Sequence, residues 1–297
     1  MELRVLNYFL TVARERSITK AARALHVTQP TLSRQLQALE EELGQKLMIR
    51  NNHTFALTPE GLLLRKRAEE VLDIVRKTEE EFSTIGESIA GEVYIGGGET
   101  AAMRLPVAVM REVRKDYPGI HFHIYSGNAD DVTERLDKGM LDFGILIQPV
   151  DISKYDSLQL PAKDVWGVLM RKDHPLAKRK RITAADLKNE TLIGSRMIVR
   201  NTSVRNVCAE WFGEEAFQKL NIVVSYNLIY NAALMVKGGI GCALTMDKLA
   251  NVENHHGLCF RPFSPRLETG LDVVWKKNQV FSPAAKLFLE RLRQKLC

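Results

Sequence analysis

The chain has 297 residues, 45% of them hydrophobic and 26% charged, enough for more than one globular unit. Its net charge of +6 allows a polyanionic partner without requiring one. Four cysteines without a Cys-x-x-Cys pair exclude a disulfide framework, and no apolar run is long enough for a membrane helix. Charges interrupt the opening "MELRVLNYFLTVARERS" too early for a signal peptide, so the reading is of a soluble, cytoplasmic protein.

Ser17 can cap a short helix whose apolar side is Ile18, Ala21, Ala22 and Leu25. His26 and Val27 end it. Thr28 then caps a second helix, with Pro30 in its first turn, a stripe of Leu32, Leu36, Leu39 and Leu43, and Gly44 as its stop. At about 100° per residue, Pro30, Ser33, Arg34 and Gln37 lie away from the leucines, while Gln29 and Thr31 project from the helix start. A recognition helix has this layout, because its N-terminal side chains must reach base edges while its other side packs on the preceding helix. Arg34 can fork onto guanine, Gln29 can pair with adenine, and Thr28, Thr31 or Ser33 can serve bases or phosphates.

The run "KLMIRNNHTFALTPEG" reads as a β-hairpin, with Arg50 and His53 placed for phosphate or minor-groove contact. A helix pair followed by such a wing is a winged helix-turn-helix. Thr58, Pro59 and Glu60 then start a long helix whose seam, Leu64, Ala68, Val71, Val75, Thr78, Phe82 and Ile85, keeps heptad spacing and favours pairing with a second copy. A twofold protein reads two half-sites, so dimerisation and the head fit together.

After Gly91, strand and helix patterns alternate. "EVYIGG", "IHFHIY" and "LDFGILI" read as strands around helices at 101–115 and 129–138, which predicts a parallel sheet in an α/β domain. A second lobe runs from "DVWGVLM" through "TLIGS", a helix near 202–212, "NIVVSY" and the helix of "NLIYNAALMVKGG". "LDVVW" and a helix capped at Ser282 follow. Strand-to-helix turns facing an interlobe cleft supply Thr100, Asn128 and Gln148 from one side and Ser195, Arg196, Tyr226 and Asn227 from the other. Arg196 or Arg200 can neutralise an anion, and Glu99 can oppose one or favour an amino group.

"GGGETA" satisfies a dinucleotide fingerprint, but "IYSGN" ends the next strand without an acid for a ribose, so no cofactor is expected. His255 and His256, adjacent in sequence, read as a surface loop, and no metal site is expected. Cys208 and Cys242 lack any motif that would activate a thiol. No G-x-S-x-G or other catalytic constellation is present, so no reaction is expected.

The segment "FLTVARERSITKAARALHVTQPTLSRQLQALEEELGQKLMIR", followed by "LTPEG", resembles the DNA-binding domain of the LysR-type transcriptional regulators over about the first sixty residues. Family members usually carry Phe at the place of Met48, and often Arg or Lys at that of His53. The pieces "RLPVAVMREVRKDYPGIHFHI", "ERLDKGMLDFGIL", "RKDHPLA" and "ALMVKGGIGCALT" are similar to that family's effector-binding domain, whose fold is that of periplasmic solute-binding proteins. The resemblance implies a winged helix-turn-helix at 1–58, a linker and dimerisation helix at 59–88, and an effector-binding domain at 89–297. It places lobe I at about 92–161 and 266–297, and lobe II at about 162–265. It also implies ligand contacts at Thr100, Asn128 and Ser195, and commonly a tetramer of two dimers.

The expected partners are double-stranded promoter DNA, a small organic acid or amino acid, further copies of the chain and the transcription machinery. The rival readings are an enzyme or solute-binding protein with an appended helical domain, and a DNA-binding regulator that no ligand controls.

Overall fold

The computed structural model describes residues 1–51, 54–83, 89–199, 206–249 and 257–296. His53, Ile85, Arg200, His255 and His256, together with the side chains of Arg50 and Phe82, lie outside what it describes. The chain forms two compact units, Met1–Ile85 and Gly86–Cys297.

The first unit contains α1 (Leu3–Glu15), α2 (Ile18–Ala24), α3 (Gln29–Leu43), a hairpin of β1 (Met48–Asn51) and β2 (Thr54–Leu57), and α4 (Pro59–Ser83). Its core is Phe9, Val12, Ala21, Leu32, Leu36 and Leu39, each essentially closed to solvent. Each large side chain there contributes about 1.5–3 kcal/mol by leaving water. Ser17 accepts from Lys20 N to start α2, Thr28 accepts from Thr31 N to start α3, and Gly44 ends α3 in the left-handed conformation. Between α2 and α3 the chain turns at His26, itself left-handed.

The start of α4 is latched to the wing. Thr58 Oγ1 donates to Lys46 O at 2.6 Å and accepts from Gly61 N at 3.0 Å, while Thr58 N donates to Leu47 O at 3.1 Å. Gly61 packs so closely on Leu47 that a Cβ would lie 2.0 Å from its carbonyl oxygen. The "LTPEG" stretch thus has a packing reason for its threonine and its glycine.

The second unit runs β3 (Gly91–Gly97), α5 (Arg104–Asp116), β4 (Ile120–Ser126), α6 (Ala129–Asp137), β5 (Phe143–Ile147), β6 (Tyr155–Arg171), α7 (Ala184–Leu187), β7 (Leu192–Ser195), α8 (Arg196–Val199), α9 (Val207–Phe212), α10 (Glu214–Gln218), β8 (Ile222–Tyr226), α11 (Ile229–Lys237), β9 (Cys242–Met246), β10 (Leu258–Pro262), β11 (Glu268–Lys276) and α12 (Pro283–Leu296). Strand order is β4-β3-β5-β11-β6-β9-β7-β8, with β10 also on β6.

The sheet is mixed, which corrects the expectation of a parallel one. Pairs β3/β4, β3/β5, β7/β8 and β7/β9 are parallel, as helix crossovers require. Those involving β6 and β11 are antiparallel, because these strands run between the two halves of the unit. From Tyr155 to Val165, β6 pairs with β11; from Trp166 onward it pairs with β9 and β10. The ladder slips where Thr269 faces Asp164 but Leu271 faces Leu160, and Pro161, which has no N–H to give, falls in that slip. Two lobes therefore share one strand and return through the segment from β10 to β11.

Candidate DNA-binding face and interlobe cavity

In the first unit, the side of α3 opposite the buried leucines exposes Thr28, Gln29, Pro30, Thr31, Arg34 and Gln37, with Ser33 half-buried beside them. Gln29 Nε2 donates to Ser33 Oγ at 3.3 Å, and Gln37 Nε2 donates to Glu41 Oε1 at 2.9 Å. Both amides would exchange these local partners for any other acceptor. Arg34 has no ion-pair or hydrogen-bond partner among the described residues, so its five donors are uncommitted. Glu40 fixes where the wing departs: its carboxylate accepts from Leu47 N at 2.9 Å and holds Lys46 Nζ at 2.8 Å. Burial raises the Glu40 pKa, but Lys46 and the Leu47 amide outweigh it and leave the acid below its ordinary range.

Along α4 the heptad seam divides. Ala68 is 1% exposed, Leu64 packs on the core of the head, and α1 covers this stretch of helix. These two positions are spent within the chain, a correction to their assignment to a partner. Farther along, Val71 and Ile74 are 38% and 39% exposed, Val75 is half-buried and Thr78 is exposed, with its hydroxyl bonded to Ile74 O.

In the second unit, a cavity of about 70 Å³ opens between the lobes, and a larger one of about 230 Å³ adjoins it. They share Asn128, Ala129, Arg196 and Met197. The smaller cavity also gathers Ser195, Tyr226 and Asn227, so five of the seven cleft residues named from the sequence meet around it.

Thr100 and Gln148 are not among its walls. Thr100 Oγ1 donates to Asp164 Oδ2 at 2.5 Å and accepts from Ala102 N at 3.0 Å, a buried knot behind the cleft. Burial, reinforced by Asp247, holds the Asp164 carboxyl above its usual range despite the Thr100 bond. Gln148 is occupied on both sides, donating to Asp272 Oδ2 and accepting from Val150 N.

Several wall groups also serve as local anchors. Asn128 Oδ1 accepts from Asp131 N at 2.9 Å as the cap of α6, and Ser195 Oγ accepts from Met197 N at 3.4 Å. The Tyr226 hydroxyl donates to Leu244 O at 2.9 Å, and burial raises its pKa. From the lobe containing β3, Glu99 reaches across and accepts from Ile229 N at 2.5 Å, filling the N-terminus of α11 with the chain's own carboxylate. Arg196 has no charged partner among the described residues.

Sequence reasoning missed Trp166, Thr245 and Met197 as walls, since each sits in or beside an apolar run that carries no sign of facing a cavity. It also took the glycines of "GGGETA" as a fingerprint to be weighed. A Cβ on Gly96 would lie 2.5 Å from Leu141 Cδ1, so that glycine lets strand and neighbour pack.

His174, Glu190 and Cys242 bring donor atoms within 4.8 Å of one another. His174 Nδ1 accepts from Leu176 N, which leaves the proton on Nε2, facing Glu190 at 3.3 Å, and a protonated nitrogen has no lone pair for a metal. Burial, with Glu190 beside it, pushes the Cys242 thiol up to about 12, and burial raises Cys208 and Cys259 as well. These thiols stay protonated at neutral pH and are poor nucleophiles and ligands.

A winged helix-turn-helix joined to a two-lobed α/β unit with a cavity between its lobes defines a class: a regulator with a DNA-binding head and a substrate-binding domain. The family model for the LysR substrate binding domain matches residues 86–297, and that for the bacterial regulatory helix-turn-helix protein, lysR family, matches residues 3–62. The chain belongs to the LysR family of transcriptional regulators.

It is 28% identical to the uncharacterized HTH-type transcriptional regulator YvbU of Bacillus subtilis, over 99% of this chain and 98% of that one. It is 29% identical to the Hca operon transcriptional activator HcaR of Escherichia coli, over 100% and 98%. In structure it resembles CbnR complexed with its target DNA, with a TM-score of 0.76, 19% identity, and coverage of 99% of this chain and 100% of that one, a likeness of fold. Among the described residues, no helix is long and apolar enough to cross a membrane.

Proposed function

We propose that the chain binds promoter DNA as a dimer, itself paired into a tetramer, and that a small molecule in the interlobe cavity shifts the equilibrium between arrangements of its heads. The observation that carries the first part is the uncommitted Arg34 on the exposed start of α3, backed by the buried Leu32, Leu36 and Leu39. Gln29, Thr31, Ser33 and Gln37 share its face, with Thr28 and Pro30 at the helix start. Arg50 and His53 extend the contact from the wing. We assign the head to 1–58, the linker helix to 59–88 and the effector-binding domain to 89–297, with lobes at about 92–161 with 266–297 and about 162–265.

Pairing is assigned to the outer part of α4, around Val71, Val75, Thr78, Phe82 and Ile85. The effector is a small organic acid or amino acid held by Asn128, Ser195, Arg196, Tyr226 and Asn227. It can act only by binding one arrangement more tightly than another. The chain catalyses no reaction in this scheme and works by recruiting or blocking the transcription machinery from a cytoplasmic location.

The test is a titration of a DNA site selected from random sequence by the full chain, repeated with Arg34→Ala. Specific affinity is expected to fall by about 1–3 kcal/mol, with relaxed base preference. Unchanged affinity and preference would remove Arg34 from base reading.

A further inference from the structure

Trp166 is 1% exposed, forms part of the wall of the smaller interlobe cavity, and its indole N–H has no acceptor among the described residues. An indole nitrogen is a donor only, and leaving it unmatched in a buried place is costly. Thr245, on the other face of the same sheet, is a second wall residue whose hydroxyl lies against that of Tyr226 without forming a hydrogen bond. The remaining floor is apolar, with Ile145, Leu146 and Met246. The one helix N-terminus at this site, that of α11, already holds the Glu99 carboxylate. A second carboxylate driven into this floor would face Glu99 and lose its water for one neutral donor, an unfavourable exchange.

Charge is better placed at the shared mouth, where Arg196 borders both cavities without a charged partner among the described residues. A volume of about 70 Å³ holds roughly the space of two waters, at about 30 Å³ each, which suits a short polar end and not a ring.

We infer that the effector is a small acid whose far end carries an uncharged oxygen acceptor, such as a ketone, seated on Trp166 Nε1 while its carboxylate stays at Arg196. This rests on the reading of the cavity as the effector site.

The test is calorimetric titration of the full chain with 4-oxopentanoate and with pentanoate, which lacks the ketone. The oxo acid is expected to bind about tenfold or more tightly than pentanoate, because only it satisfies the indole. Trp166→Phe keeps an aromatic ring and removes the N–H, so the two acids should then bind alike. Arg196→Gln should weaken both and keep their ratio. Equal binding in the unaltered chain, or a ratio that survives Trp166→Phe, overturns the inference.

If neither acid binds, the class is wrong, and a thermal-shift panel of amino acids and aromatic acids, with and without Ser195→Trp to plug the cavity, separates the two failures. A ligand whose shift disappears in the plugged variant leaves the effector site standing and refutes only the oxo-acid class. No shift from any compound refutes both.

Discussion

Replacing Gly61 with alanine should undo the latch between wing and linker helix. The added Cβ would lie 2.0 Å from Leu47 O, where a carbon and an oxygen normally approach to about 3.3–3.6 Å, so backbone must move by more than an ångström. Both sides are main chain, and no rotamer change can relieve the contact. Forced overpacking of this kind costs about 1–3 kcal/mol. The shift also strains two Thr58 bonds to Lys46 O and Leu47 O, at about 0.5–1.5 kcal/mol each. Alanine's better helix propensity returns only about 1 kcal/mol, so the net loss is about 2–4 kcal/mol.

Gly44→Ala is the control: it meets nothing within 4 Å, and its φ of +65° makes the cost about 1–2 kcal/mol. The three tryptophans are Trp166, Trp211 and Trp275, all in the second unit, so fluorescence cannot see the head. Hydrogen exchange of the Thr58, Gly61 and Leu62 amides in the full chain is the suitable assay. If Gly61→Ala protects these amides as well as the parent does, or better than Gly44→Ala does, the packing argument is wrong.

Three further outcomes are expected. Ile74→Glu should dissociate the oligomer while leaving the head folded, whereas Ala68→Glu should unfold the head, because Ala68 is closed within the chain and Ile74 is 39% exposed; sedimentation and circular dichroism would separate the two, and an intact oligomer with Ile74→Glu would move the interface elsewhere. Cys242, its thiol held near 12, should resist iodoacetamide at pH 8 until denaturant is added, and rapid labelling of the native chain would contradict that protonation state.

Glu40 has a pKa below the ordinary 4.5, so its stabilisation of the head is complete above about 4.5 and is lost as pH falls through the lower folded value. Glu40→Gln should remove that part of the acid dependence, and identical acid melting of the two chains would refute it.

The head was legible because local rules decide it: Ser17, Thr28 and Gly44 mark helix ends by their own chemistry, and the leucines of α3 repeat at the helical period. The seam of α4 was legible as a pattern but not as a destination, since periodicity does not say whether Leu64 and Ala68 meet a partner or α1. In the second unit, the parallel pairs followed from alternating strands and helices. The first half of β6 was hidden by Pro161 and by charges on a partly solvated face, and without it the antiparallel crossing could not be inferred. Of the cleft, turns at strand ends led to Asn128, Ser195, Arg196, Tyr226 and Asn227. Thr100 looked the same in sequence, and only its 2.5 Å bond to Asp164 shows that its hydroxyl is already engaged.

The shared strand also sets how the two lobes can move. A β-strand bonded on both flanks resists shear along its length, so β6 works as a torsion bar clamped at each end, with Phe263–Leu267 as a second tie beside it. The soft place along that bar is Pro161–Lys163, where the ladder slips, and twist between the lobes should concentrate there. Lengthening or stiffening those three residues would therefore tune the amplitude of the lobe motion without touching a single wall of the cavity.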